Sequence, residues 1–136
     1  MCTAAVLDEL AQYAPVTAVV GNNDGPDVAA WGAAETAALT PGGLRVAMIH
    51  DSGPATGRLR RMRARFPAAE LVVFGHSHIP LDATDLDGAN PDGTAAGLRI
   101  FNPGSPTDRR RQPHGTLGVL HVADGALIEA RIIEVS

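Results

Sequence analysis

The residues of this chain best suited to chemistry are three histidines and an asparagine at the ends of short apolar runs. His50 follows Val46-Ala47-Met48-Ile49, and Gly75-His76-Ser77-His78 follows Leu71-Val72-Val73-Phe74. A third polar cluster, Gly21-Asn22-Asn23-Asp24, follows Val16-Thr17-Ala18-Val19-Val20. Imidazole is the commonest side-chain ligand for zinc and its neighbours. A donor set of nitrogen and oxygen without sulfur suits Mn, Fe, Zn or Ni rather than copper(I) or an iron–sulfur cluster. Each piece also has a plainer reading. A lone histidine at a strand end is more often a hydrogen-bonded structural residue, a lone His-x-His is a weak metal signal, and Asn-Asn-Asp is a good turn. Their conjunction shifts the balance, because ligands gather at the carboxyl ends of strands in open α/β sheets.

The elements that must position these residues follow from periodicity and breakers. Thr3 can cap a helix running to residue 13, with Val6, Leu7 and Leu10 on one face, and Pro15 ends it. Residues 16–20 read as a buried strand, and 26–32 as a short helix or turn. Residues 35–39 and 44–49 read as strands joined by Thr40-Pro41-Gly42-Gly43, a hairpin signal. Residues 55–66 read as a helix with Leu59, Met62 and Phe66 on its apolar face and five arginines on a solvated face; Pro67 stops it. Residues 71–74 form a further buried strand. Residues 80–84 and 98–101 read as strands around a polar excursion at 85–97, which lacks the regular carboxylate spacing of a calcium loop. Residues 117–122 and 127–135 form a hairpin through Asp124-Gly125. The first half is thus α/β and the second strand-rich, a pattern that suits stacked sheets with helices outside.

Composition narrows the function classes. A chain of 136 residues, 45% apolar, makes one compact domain with a real core. Its net charge of -4 gives no whole-surface attraction to nucleic acid or anionic lipid. All basic residues are Arg, and with the abundant Ala, Gly and Pro this suggests a GC-rich, bacterial genome. The helix arginines Arg58, Arg60, Arg61, Arg63 and Arg65 have no aromatic platform beside them, which argues against a dedicated nucleic-acid module. No apolar run is long enough to span a membrane and none reads as a signal peptide. Cys2 is the single cysteine, and a cytoplasmic setting is the expectation. His114 and His121 read as surface residues, and Trp31 and Tyr13 as packing or oligomer contacts.

In order along the chain, Gly21-Asn22-Asn23-Asp24, His50, Gly75-His76-Ser77-His78 and Asn102-Pro103-Gly104-Ser105 resemble the calcineurin-like metallophosphoesterases, and among them the small bacterial and archaeal phosphodiesterase branch. The resemblance implies an α/β fold, a four-layer α/β/β/α sandwich, with a dinuclear site between its sheets. It implies that Asn22, His50 and His76 hold one divalent metal and His78 the other. Mn is the first choice, with Zn, Fe or Ni as alternatives. It further implies that a hydroxide held between cations about 3.5–4 Å apart attacks a phosphodiester, or a phosphomonoester, in line with the leaving oxygen. Asn22, His50 and Asp24 are then the catalytic set, and Asn23 and Arg109 the substrate-binding residues. The expected partners are a small phosphodiester substrate and a second copy of the chain, with no nucleic acid and no membrane. A non-catalytic interaction module on the same fold is the alternative.

Two departures accompany the resemblance. The family opens with strands ending Asp-x-His and Gly-Asp, and neither motif is present. The expectation is that 1–136 is a single metallophosphoesterase domain lacking those segments, its start assigned too late, with impaired activity as it stands. Three neutral imidazoles and an amide do not offset two divalent cations, so a carboxylate must join them. Asp24 is the nearest internal candidate, although Asp24 and Asp51 suit an orienting role better. Secondly, Asn23 stands where many relatives have a histidine. Asparagine donates a hydrogen bond but supplies no proton, so substrates with good leaving groups are expected.

Overall fold

The computed structural model describes residues 4–22, 24–84 and 98–135. Three short apolar segments make the centre of a five-stranded sheet. They are β2 (Val46–Ile49), β3 (Leu71–Val73) and β5 (Arg99–Asn102), mutually parallel, with β3 in the middle. Parallel neighbours need crossovers. Helix α3 (Arg58–Arg65) supplies the one from β2 to β3. Antiparallel strands close both edges: β1 (Thr36–Leu39) on β2, through the Pro41–Gly43 turn, and β4 (Leu81–Thr84) on β5. The β4–β5 pair is also pinned by a two-pronged bond from Arg99 to Asp82, at 2.7 and 2.6 Å. The carboxyl ends of β2, β3 and β5 therefore emerge side by side, and the loops carrying His50, the 75–78 histidines and the 102–105 turn all leave from that end.

The two faces of the sheet are covered differently. On one, Met62 and Leu59 of α3, with Phe66 at its C-terminal cap, pack over Ala47, Ile49, Val72, Phe74, Leu98 and Ile100. This is the apolar face expected for the helix, which begins at Arg58 rather than residue 55 because Gly57 adopts a left-handed conformation (φ 75). On the other, the hairpin β6 (Thr116–Ala123) and β7 (Ala126–Glu134) lays Leu120, Val122, Leu127 and Ala130 over Leu44, Val46, Leu71 and Phe101. Its turn is Asp124-Gly125, at φ 53 and 75 as a tight primed turn demands. A third cluster joins Leu7 of helix α1 (Ala4–Ala11) to Ala18, Val28 of helix α2 (Pro26–Trp31) and Ala33.

One element differs from expectation. Residues 16–20, read as a buried strand, are reduced to a single parallel bridge between Val19 and Ala34, with the Val20 N–H on Ala34 O at 2.9 Å. Apolar β-branched residues favour extension, but a strand is made by its ladder. Among the described residues the partner is the short stretch at Ala34. The second layer of strands is accordingly the β6–β7 pair. The helix cap at Thr3 and the excursion at 85–97 lie outside the described residues. No helix among the described residues is long and apolar enough to cross a membrane.

The hairpin approaches the sheet most closely at Gly118. A Cβ there would lie 2.4 Å from Phe101 Cε1 and 3.1 Å from Pro103 Cβ. Phe101 is 1% exposed and fixed on all sides. Gly118→Ala is expected to destabilise the chain by about 1–3 kcal/mol, the usual cost of overpacking. Urea unfolding measures this, and a loss below about 0.5 kcal/mol would show that the layers slide freely.

Candidate metal centre

The structure brings Asn22, Asp24, His50, His76 and His78 to the wall of one polar cavity of about 410 Å³, together with Ser105, Thr107, Asp108 and Arg110. A second hollow, about 440 Å³ between β1, the start of β2 and the end of α3, is lined mainly by Leu39, Val46, Phe66 and alanines and gathers no comparable set of donors.

The two imidazoles from neighbouring strand ends face one another. His50 Nε2 and His76 Nδ1 are 3.3 Å apart, with the rings nearly perpendicular at 82°. Burial holds His50 below its ordinary pKa and the adjacent His76 adds to this, against the opposing pull of the Asp51 and Asp24 carboxylates. The consequence is a neutral ring with an available lone pair near neutral pH, the state a metal ligand needs. Gly21 makes room for this ring: a Cβ there would meet His50 Nδ1 at 3.0 Å and Asp24 Oδ2 at 3.3 Å. Asp24 Oδ2 itself accepts the Gly21 N–H at 2.8 Å, tying down the loop that bears Asn22.

The loop after β3 is held in an unusual conformation. His76 and His78 both have positive φ, 70 and 61. The Ser77 N–H donates to Gly75 O at 2.9 Å, closing a three-residue turn over His76 of the rare, strained γ kind. A left-handed non-glycine residue costs about 1–2 kcal/mol and persists where its surroundings over-determine it. Asn102 does this from the end of β5. It is fully buried, its Nδ2 donates to Gly75 O at 3.3 Å and Ser77 Oγ at 3.1 Å, and its Oδ1 accepts the Gly104 N–H at 2.9 Å. One amide thus fastens the histidine loop to the 102–105 turn.

These donors fit a divalent cation. His50 Nε2 and His76 Nδ1 share a hydrogen bond at 3.3 Å, and the same separation matches that of two nitrogens each about 2.0–2.1 Å from a tetrahedral cation. His78 Nδ1 lies against the Asp108 carbonyl oxygen at 2.5 Å, which places its proton there and leaves Nε2 as the free acceptor. A ligating histidine is normally oriented in this way by a carbonyl or carboxylate behind it. Asp51 Oδ2 stands 3.8 Å from His76 Nε2, and Asp108 Oδ2 3.8 Å from His78 Nδ1. Among the described residues, no three His, Cys, Asp or Glu side chains come together closely enough to hold a metal ion. The fit is that of a partial donor set.

The remaining residues sort clearly. Arg109, expected to face substrate, instead gives Nη1 to the carbonyls of Gln112 (3.1 Å) and Pro113 (2.9 Å) and does not line the cavity; Arg110, left-handed at φ 52, does. The turn geometry decides which of three consecutive arginines points inward, and spacing alone carries no such signal. Asn23 lies outside the described residues. His114 is 3.8 Å from Glu134 and His121 pairs opposite Glu129 on the hairpin, both away from the cavity. Trp31 donates to Asp8 at 2.9 Å, a packing role between the first two helices. Asn102 and Asp108 are the residues in contact with the histidine loop that sequence reasoning missed. Asn102 stood in a recognised motif but read as a turn.

The sequence model described as the calcineurin-like phosphoesterase superfamily domain matches residues 1–125. Among solved structures, zinc-complexed Vps29 from Entamoeba histolytica superposes with TM-score 0.71 at 19% identity, covering 99% of this chain and 77% of that one. An archaeal phosphodiesterase superposes with TM-score 0.70 at 18% identity, covering 96% and 76%. A Streptococcus pneumoniae protein described as a predicted phosphoesterase gives TM-score 0.62 at 17% identity, covering 85% and 60%. At such identities these likenesses establish the fold. No curated protein sequence matches the chain. The family match spans both the histidine loops and the strands that bear them, and the chain belongs to the calcineurin-like phosphoesterase superfamily.

Proposed function

We propose that the chain acts as a metal-dependent phosphoesterase on small phosphodiesters, the reading carried by the His50–His76 nitrogen pair at cation-ligand spacing. His50, His76 and Asn22 would hold one cation and His78 the other. Bound divalent cations supply a Lewis acid and make water acidic enough to ionise near neutral pH. Asp24 and Asp51 orient the ligands around His50 and His76. Arg110 offers a planar guanidinium fork to the non-bridging phosphate oxygens. Asn23 stands in the sequence where many relatives have a histidine; an asparagine donates a hydrogen bond but supplies no proton, so activated leaving groups would be favoured. Two cations carry more charge than this donor set offsets. Asp-x-His and Gly-Asp carboxylates, as in the family, are therefore proposed to complete the centre.

The test is hydrolysis of an activated aryl phosphodiester with Mn²⁺ and after chelation, by this chain and by one extended with those two motifs. Turnover that survives chelation, or that is equal in both chains, contradicts the proposal. Arg110→Ala is expected to raise KM about tenfold, the scale of one charge-assisted bond, with a smaller change in kcat. Arg109→Ala should leave both near wild type. The reverse pattern would return the substrate contact to Arg109.

A second reading, an interaction module without catalysis, is favoured by the apolar side chains exposed on the hairpin, Leu117, Val119, Ile128 and Ile132. Such a module needs no turnover even where it takes up a cation, so metal-dependent hydrolysis of the activated diester separates the two readings.

A further inference from the structure

We infer that Arg61, on helix α3, is a positioning residue for the His50–Asp51 arm of the centre, holding by its backbone the loop on which that arm stands. The inference rests on the metal reading of the site for its functional meaning, but the clamp itself can be tested without metal.

The loop at 50–54 leaves β2 and must aim both His50 and Asp51. Its carbonyls have left the sheet ladder and need partners. Two arginines one helical turn apart provide them. Arg61 gives Nε to Ser52 O at 2.8 Å and Nη2 to Pro54 O at 2.5 Å, and Arg58 gives Nη2 to Gly53 O at 3.2 Å. Three consecutive carbonyls are thereby bound from one helix. The guanidinium lies flat on the loop: a Cβ on Gly53, which has φ +81, would be 3.0 Å from Arg61 Cζ, Nε and Nη2. Ser52 beneath it is 2% exposed. Inside the loop, Asp51 Oδ1 accepts the Gly53 N–H at 2.8 Å, which fixes the carboxylate that faces His76. Arg58 also stacks 4.9 Å over Phe74, just before Gly75-His76, so the same helix end touches both arms.

A planar fork that bonds two carbonyls through Nε and Nη2 has no equivalent in lysine, a point charge. Charge alone therefore does not explain the contact, and a solvated helix face, expected for all five arginines, does not hold for Arg58 and Arg61.

The experiment compares the whole chain with Arg61→Lys, with Arg61→Gln, which removes the guanidinium fork without touching the loop backbone, and with Arg60→Ala, an exposed neighbour, as control. Amide hydrogen exchange without metal should quicken at least about tenfold at residues 51–53 in the first two variants, with β3 and β5 unchanged and Arg60→Ala silent. Mn²⁺ affinity should fall about tenfold in the same two, the scale for losing a partner behind a ligand. Unchanged exchange at 51–53, or a uniform rise across every element, overturns the clamp. Faster loop exchange in a chain whose wild type takes up no Mn²⁺ upholds the clamp and removes the metal reading instead.

Discussion

Replacing His76 by alanine is expected to cut divalent-metal affinity more than about a hundredfold and to abolish metal-dependent turnover with it. Loss of a partner that merely orients a ligand costs roughly 10–100-fold, and His76 is proposed as a ligand itself, half of the 3.3 Å nitrogen pair. The substitution also exposes what the site costs the fold. His76 sits at φ 70, inside a γ-turn. Alanine and glycine both delete the ring, but glycine tolerates the left-handed conformation and alanine does not. His76→Gly should therefore be more stable than His76→Ala by about 1 kcal/mol, while both lose metal equally. Calorimetric titration and urea unfolding read the two effects separately. Equal stability of the two variants would mean that the turn stores no strain, and near-native affinity in either would remove His76 from the ligand set.

Replacing Asn102 by alanine is expected to destabilise the chain by about 3–4 kcal/mol. The residue is fully buried and its amide makes contacts to Gly75 O, Ser77 Oγ and the Gly104 N–H. Truncation strands those groups where water is excluded, and each orphan costs about 1–3 kcal/mol. The damage is also directional. With the bracket gone, nothing from β5 opposes relaxation of the 75–78 turn, so metal affinity should fall about tenfold alongside stability. Asn102→Asp, which keeps the acceptor for Gly104 but loses the donor, tests which half matters to the histidines. A loss below 1 kcal/mol for Asn102→Ala would show that the turn holds itself.

The parts legible in sequence were those governed by local rules. Apolar runs such as Leu71-Val72-Val73 announced buried strands, Asp124-Gly125 announced the hairpin, and the polar residues after the apolar runs line one cavity. The parts that escaped depend on what comes alongside in space. The segment at 16–20 has strand composition, yet forms a single bridge because pairing is a property of two segments. Arg58 and Arg61 have the composition of a solvated helix face, yet turn onto carbonyls of a loop whose left-handed Gly53 exposes them. Arg109 and Arg110 are chemically identical neighbours, and a positive φ at the second selects which one lines the cavity. Asn102 stood in a recognised motif, but a buried three-way bracket and a surface turn share the same four letters.

The central claim, that side chains from separate strand tips share a cation site, is tested most directly by following Co²⁺ absorption as the metal is titrated into the chain, His50→Ala and His78→Ala. Two inequivalent binding steps are expected in the chain extended with the Asp-x-His and Gly-Asp motifs, the background in which both substitutions are made. His50→Ala should remove one step and His78→Ala the other, each variant remaining folded by circular dichroism. A His50→Ala protein with the same spectrum and stoichiometry as the unaltered extended chain would contradict the account, because no shared centre can survive the loss of that imidazole unchanged.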